Sequence, residues 1–371
     1  MSEKDNKEWR SGVYLTTVHD SISAMIIESK LKSEGIPVEK RYKGAGNFME
    51  IALGVNSTCP IELYVPEETL TDALNIIVPV PIDEDFDASG DGKIRMAVIG
   101  DPIGHSLSPT IHGDIIRRHG INASYEAIHV KPDELEGFVW GGPATELAGF
   151  NATMPHKQAL LGLVDEIDPE AEEYGAINTV KNDNGTLIGY NTDVKGLILA
   201  LAAQGVTLKN KTLLLLGAGG VAGSLLIGGL NAGAKKVIVL NRTADKAEKL
   251  CVGKEWCQGE GMSQESLKKY SPEADVIINC TPVGMSGVGG VFEDFTFLDK
   301  TDAFLCDLIY NPWETEFLKY GRQKGLRGIN GIDMLIYQGI LAFEIFTGIK
   351  LEYRVEHDNL YEICKKSLGV E

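Results

Sequence analysis

A lysine and an aspartate stand out first. Lys157 closes the run Asn151-Ala152-Thr153-Met154-Pro155-His156-Lys157, in which Pro155 stiffens a turn. Asp193 closes Gly189-Tyr190-Asn191-Thr192-Asp193, at the end of a strand-like stretch. An ammonium can hold or protonate an oxygen, and a carboxylate can accept a hydroxyl, so either type could serve an active site. Ser106 and Ser108, in Ser106-Leu107-Ser108-Pro109, offer two neutral hydroxyl donors from one loop, suited to a carboxylate. Asn178, in Gly175-Ala176-Ile177-Asn178-Thr179, places an amide beside a strand. Each has an ordinary explanation when taken singly. SxSP caps helices, a lone lysine is usually a surface charge, and amides and carboxylates beside strands make turns. His105 and His156 read as packing groups, not catalysts.

A second kind of chemistry is written in Leu213-Leu214-Leu215-Leu216-Gly217-Ala218-Gly219-Gly220-Val221-Ala222. An apolar strand runs into glycines, and an apolar helix follows. Gly217 permits a tight turn, Gly219 lets backbone approach a pyrophosphate, and Ala222 lets the helix pack on the strand. Gly217, Ala218, Gly219, Gly220 and Val221 would then hold a dinucleotide at the positive end of a helix. The plain alternative is a tight β–α turn. The next strand, Lys236 to Leu240, ends in Asn241-Arg242-Thr243, with Lys246 one turn later. NAD sites place Asp or Glu there for the ribose hydroxyl. A guanidinium and an ammonium suit a 2′-phosphate instead, which predicts NADP over NAD.

These groups need elements to position them, and the predicted fold class is α/β. Residues 1–82 read as a small α+β accessory domain in the order strand, helix, strand, strand, helix. The strand lies in 12–18, and a helix capped by Asp20 buries Ala24, Ile27 and Leu31 before ending at Gly35. Ile61, Leu63 and Val65 alternate as in a strand, and 67–77 reads as a second helix. A ferredoxin-like split βαβ fits this order. Residues 83–93 form an acidic, glycine-bearing linker. Residues 94–198 are predicted as a substrate-binding α/β domain, completed by 331–371, with a last helix over Met334 to Phe346. Residues 199–330 are predicted as a Rossmann-type domain with a parallel sheet, leaving the active site in the cleft between the two.

Composition narrows the function classes. The chain has 371 residues, 43% apolar and 24% charged, with a formal net charge of −18. Such a field repels nucleic acid and anionic membranes, so neither is an expected partner. An anionic substrate would need donors supplied locally. Six cysteines occur without a CxxC pair, and no histidines sit at zinc-finger spacing. The expectation is reduced, mostly buried thiols in a cytoplasmic protein, with no metal. The N-terminus lacks the apolar core of a signal peptide, and the apolar runs are too short to span a bilayer.

The pieces GDPIGHSLSP, NATMPHK, GAINTV, GYNTD, GAGGVA, NRT, NCTPVGM and NGIDMLIYQG follow one another between Ile94 and about Phe346. Together and in this order they closely resemble the shikimate dehydrogenase family. The resemblance implies reversible NADPH-dependent reduction of 3-dehydroshikimate to shikimate, a step of aromatic amino acid biosynthesis. It implies that Ser106 and Ser108 bind the substrate carboxylate, assisted by Tyr310 of CDLIYNP. Thr153, Asn178 and Gln338 would hold the ring and its hydroxyls, and Lys157 and Asp193 would form the catalytic pair. Gly217 to Val221 would bind the pyrophosphate, and Asn241, Arg242, Thr243 and Lys246 the adenosine end. Leu308 and Gly331 would lie by the nicotinamide. A homodimer is a candidate assembly. Tyr190 stands where some relatives carry Asp, and His156 where an aromatic can occur. Nothing before residue 93 shares the resemblance; that part is weakly similar to small bacterial domains described as signal-transducing modules. A sensing, docking or dimerisation role is expected for it. Two competing readings remain: a quinate/shikimate dehydrogenase of broader substrate and cofactor use, and a regulatory protein on a dead dehydrogenase scaffold. The intact Lys157 and Asp193 count against the second.

Overall fold

The structure is a computed structural model and describes residues 12–18, 24, 27–28, 31–32, 35–42, 61–66, 69, 73, 92–104, 106–286, 292 and 294–370. The chain divides into two compact units, Met1–Asp83 and Glu84–Glu371.

The first unit holds strands β1 (Val13–Val18), β2 (Glu39–Tyr42) and β3 (Ile61–Val65) in the order β1-β3-β2. Both outer strands run antiparallel to β3, so β1 and β2 are parallel, as a split βαβ requires. Ile61, Leu63 and Val65 face inward, and Ala24 and Leu31 from the helical stretch are fully buried against this sheet. Gly35 ends that stretch at φ +77°, in the left-handed region that only glycine enters freely. Asp20 and most of 67–77 and of the acidic linker lie outside the described residues.

The second unit contains two six-stranded sheets. The first holds β4 (Ile94–Gly100), β5 (Ala123–His129), β6 (Gly149–Ala152), β7 (Glu166–Ile167), β8 (Thr179–Asp183) and β9 (Thr186–Tyr190), in the order β5-β4-β6-β8-β9-β7. It is mixed: β6–β8 and β8–β9 are antiparallel, the other pairs parallel. Helices α1 (Ser108–His119), α2 (Leu135–Trp140), α3 (Pro169–Tyr174) and α4 (Asp193–Ala203) accompany it. α4 runs through residue 198 without a break.

The second sheet holds β10 (Thr212–Leu216), β11 (Lys236–Asn241), β12 (Cys257–Gly261), β13 (Val276–Asn279), β14 (Phe304–Asp307) and β15 (Gly328–Ile329). All pairs are parallel, in the order β12-β11-β10-β13-β14-β15. Counted within this sheet, that is 3-2-1-4-5-6, the doubly wound dinucleotide-binding order. Every residue of β10 is buried because helices cover both faces of a parallel sheet. Its helices are α5 (Gly220–Asn231), α6 (Ala244–Cys251), α7 (Gln264–Tyr270) and α8 (Glu316–Gln323).

The chain then returns through α9 (Gly331–Thr347), which packs on α4 so closely that a Cβ at Gly196 would sit 2.9 Å from the Gln338 backbone nitrogen. Contrary to expectation α9 is not the last helix. After the left-handed Gly348, α10 (Tyr353–Ser367) packs on α9 and α1. Its buried Glu356 accepts from Arg118 and His119, an interaction between distant segments that periodicity could not reveal. A second correction concerns the thiols. Cys251 and Cys257 are joined as a disulfide, bringing the end of α6 to the start of β12, whereas Cys280, Cys306 and Cys364 are free. Their spacing is not a CxxC, and only the α6–β12 turn brings them together. Among the described residues no helix is long and apolar enough to cross a membrane.

Candidate active site

The loop after β6 carries Thr153 and Lys157. Its backbone is pinned at both ends: Thr153 N–H donates to the Ile99 carbonyl at 2.9 Å, and Ile177 N–H to the Lys157 carbonyl at 2.8 Å. His156 is 1% exposed, and its Nε2 pairs with the Val130 carbonyl at 2.7 Å, which makes it an anchor of the turn. Thus held, Lys157 Nζ reaches Asp193 Oδ2 at 2.6 Å. Asp193 opens α4, where the helix dipole favours a carboxylate, and its N–H donates to Asn191 Oδ1 at 3.1 Å. Its Oδ1 accepts from Asn178 Nδ2 at 2.9 Å. Asn178 Nδ2 also lies 3.4 Å from Gln338 Oε1, and Asn178 Oδ1 accepts Thr192 N–H at 2.8 Å. Lys157, Asp193, Asn178 and Gln338 therefore meet in one cluster, although they are drawn from four separate segments.

Ser106 Oγ accepts Ser108 N–H at 3.2 Å, so the pair forms a turn into α1 as well as offering hydroxyls. Ser108 is buried. Tyr310 is half-buried, and burial pushes its phenol up, with the Cys364 thiol adding to the shift. Among the described residues no hydrogen bond joins Tyr310 to either serine. His105 lies outside the described residues.

The glycine turn closes β10. Gly217 sits at φ +107°, where a Cβ would come 2.8 Å from Thr281 Cγ2. Gly219 caps α5, and neither it nor Gly220 would meet anything within 4 Å if given a Cβ. That leaves open space against the bare N–H groups of the helix start, as a pyrophosphate needs. Ala222 is fully buried between helix and strand. Asn241 ties the turn to the next loop: its Oδ1 accepts Ala218 N–H at 3.0 Å, and its Nδ2 donates to the Thr243 carbonyl at 2.9 Å. Arg242, Thr243 and Lys246 are exposed, and among the described residues neither cation forms an ion pair. The donor set fits a phosphorylated dinucleotide.

At the end of β14, burial pushes the Asp307 carboxyl up to about 6, despite donors from Thr315 at 2.6 Å, Ile309 N–H at 3.1 Å and Asn279 at 3.0 Å. Beyond it, Gly331 N–H donates to the Ile309 carbonyl at 2.9 Å, and a Cβ at Gly331 would collide with the Leu308 carbonyl. Leu308 and Gly331 are thus brought together. Contacts near the site join the halves. A Cβ at Gly228 of α5 would collide with Val194, the neighbour of Asp193. α9 carries Gly331 at its start and Gln338 seven residues on, about 10 Å along one rigid helix. A cavity of about 830 Å³ beside Trp313, His357 and Tyr361 contains none of these groups, so it is a separate feature.

The comparisons with known proteins converge here. Family models match residues 98–180 (shikimate dehydrogenase substrate binding domain), 199–285 (shikimate / quinate 5-dehydrogenase) and 331–355 (shikimate 5′-dehydrogenase C-terminal domain). A curated shikimate dehydrogenase (NADP(+)) from Alkaliphilus metalliredigens is 38% identical over 282 residues, covering 72% of this chain and 97% of the relative. The chain belongs to the shikimate dehydrogenase family. A second shikimate dehydrogenase (NADP(+)), from Bacillus cereus, is 42% identical over 259 residues, covering 69% of this chain and 93% of its own. The solved Thermus thermophilus shikimate 5-dehydrogenase in complex with NADP(H) and shikimate superposes with a TM-score of 0.65 at 33% identity, over 73% of this chain and 99% of that one. Family membership fits the site described: a lysine–aspartate pair in one half and a glycine turn with a cationic loop in the other.

Sequence reasoning missed a buried polar layer behind this shikimate dehydrogenase site. Tyr125, His112, Asn151 and Thr179 are all buried. Asn151 and Thr179 sit within the quoted motifs. The spacing of His112 four residues after Ser108, on one helix face, was the available signal for the histidine.

Proposed function

We propose that this chain catalyses the NADP(H)-dependent interconversion of 3-dehydroshikimate and shikimate. The supporting observation is the Lys157–Asp193 pair at 2.6 Å, with Asp193 opening a helix whose next residue packs against the helix of the glycine turn. Gly217 to Val221 cradle the pyrophosphate, while Arg242 and Lys246 take the 2′-phosphate of the cofactor. Asn241 and Thr243 shape the adenosine end, and Leu308 and Gly331 border the nicotinamide. The bound cofactor supplies or takes up the hydride; the protein supplies orientation and the proton.

Ser106 and Ser108 donate to the substrate carboxylate, with Tyr310 as a third hydroxyl. Neutral donors suit this task in a chain of net charge −18, because they bind the anion without a buried counter-charge. Thr153, Asn178 and Gln338 hold the ring. In the reducing direction the Lys157 ammonium faces the carbonyl oxygen, stabilises negative charge forming there and donates the proton. Asp193 holds Lys157 in place and accepts a ring hydroxyl. In the oxidising direction Lys157 takes the hydroxyl proton.

The test is initial-rate measurement with shikimate and quinate, each with NADP⁺ and NAD⁺. The highest kcat/KM is expected for shikimate with NADP⁺. Quinate with NAD⁺ giving the highest value would overturn the reading in favour of the broader enzyme. No turnover with any pair would overturn it in favour of a regulatory scaffold.

A further inference from the structure

The mechanism above leaves unused a line of buried side chains behind the substrate-facing atoms. The Tyr125 hydroxyl donates to Asn151 Oδ1 at 2.7 Å. Asn151 Nδ2 donates to the Asn178 carbonyl at 3.1 Å and to Thr179 Oγ1 at 2.9 Å. A carbonyl only accepts, so the amide nitrogen must face that way and the amide oxygen must face Tyr125. Thr179 donates to Asn178 Oδ1 at 3.0 Å, Asn178 Nδ2 donates to Asp193 Oδ1 at 2.9 Å, and Asp193 Oδ2 holds Lys157 at 2.6 Å. One chain of donors and acceptors therefore runs from Tyr125 to the catalytic pair, and His112, one turn after Ser108 on α1, lies against Tyr125. Tyr125, Asn151, Thr179, Asn178 and Asp193 are all buried, and only Lys157 at the end of the line reaches solvent.

His112 adds a second observation. It has no exposed surface, and among the described residues neither ring nitrogen has a hydrogen-bond partner. It stacks on Tyr125 with ring centroids 3.9 Å apart and planes 4° from parallel, and Phe343 and Phe346 close its surroundings. A buried imidazole without partners costs stability that an aliphatic side chain would not. Its flat face fixes the plane of the phenol, and so the direction in which the hydroxyl points.

We infer that Tyr125 is a positioning residue that joins the carboxylate-binding serines to the Lys157–Asp193 pair, so that the two ends of the substrate site are set as one unit. The inference rests on the shikimate dehydrogenase reading above. His112 holds the Tyr125 phenol against the helix that Ser108 opens, so the serine and the phenol are set together. Asn151 and Thr179 pass the same constraint to Asn178, which orients Asp193.

The experiment is Tyr125→Phe with full kinetics in both substrates. The KM for shikimate should rise about tenfold while the KM for NADP⁺ stays unchanged, because the lost hydroxyl supports the substrate groups and none of the cofactor groups. A general loss of packing would move both constants. Thr179→Val, which breaks the line on the far side of Asn151, should lower kcat about tenfold, and Thr179→Ser should restore it. This second pair decides the matter should the phenylalanine variant fail to fold. If wild type turns over shikimate while Tyr125→Phe keeps its KM within about twofold, or Thr179→Val keeps its kcat, the inference alone is overturned. A wild type inactive on shikimate overturns the inference together with the reading beneath it.

Discussion

At the scale of the residue, the site depends on where two cations point. Lys157 is drawn onto Asp193 by a loop whose backbone is pinned at Ile99 and Ile177. Removing the amine should leave that loop intact, because its anchors are backbone groups and His156. Lys157→Ala is therefore expected to lower kcat by about 10²–10⁴-fold, with a much smaller change in the KM for shikimate. Steady-state kinetics would show it, and near-normal turnover would remove Lys157 from the chemistry. Arg242 is exposed, with no ion pair among the described residues, so its guanidinium is available to a phosphate. Arg242→Ala should weaken NADP⁺ binding about 10- to 100-fold and NAD⁺ binding little, as a lost charge-assisted pair implies. Titration by fluorescence would check it, and equal weakening of both would place the 2′-phosphate elsewhere. Both cations were legible in the sequence because each follows a strand that ends in a motif. Tyr125 and His112 were not, because their importance lies in what they touch across the fold.

At the scale of the element, ends matter more than middles. The glycine turn, the Asn241 loop, Asn279 and Asp307 all lie at the carboxyl ends of β10, β11, β13 and β14, where a doubly wound sheet presents its ligands. The strands were readable as apolar runs. The polar web at their ends was not, since only the parallel register sets Asn279 opposite Asp307. α10 escaped because Arg118 and His119, distant in sequence, supply the partners of Glu356. The Asp307 web has a measurable consequence. Burial raises this carboxyl from 3.8 to about 6 in the folded chain. A raised acid favours folding while it is neutral, so its contribution is full below pH 4 and is lost as pH climbs through about 6. The loss is on the order of 3 kcal/mol at most. Asp307→Asn does not titrate, and its oxygen can still accept from Asn279 and Ile309. Between pH 4 and pH 7 the thermal midpoint of wild type should therefore fall relative to that of the variant. Parallel curves would mean that Asp307 is ionised throughout.

At the scale of the whole molecule, the division into units was legible from the acidic stretch that follows residue 82, and Met1–Asp83 and Glu84–Glu371 are each compact. What the first unit does was not legible, because its described residues form a small sheet with its own core and, among them, no cluster that could hold a metal. Every residue assigned a role in the proposed reaction, from Ser106 to Gln338, belongs to the second unit. Its core joins both sheets through α4 and α9. Deleting residues 1–83 should accordingly leave kcat and both KM values within about twofold of the full chain, since no group that touches substrate or cofactor is removed. The same variant separates the roles open to the first unit. A sedimentation mass that falls on deletion would make it an assembly element. Inhibition by aromatic amino acids that disappears on deletion would make it a sensor. Loss of turnover would contradict the self-sufficiency of the second unit.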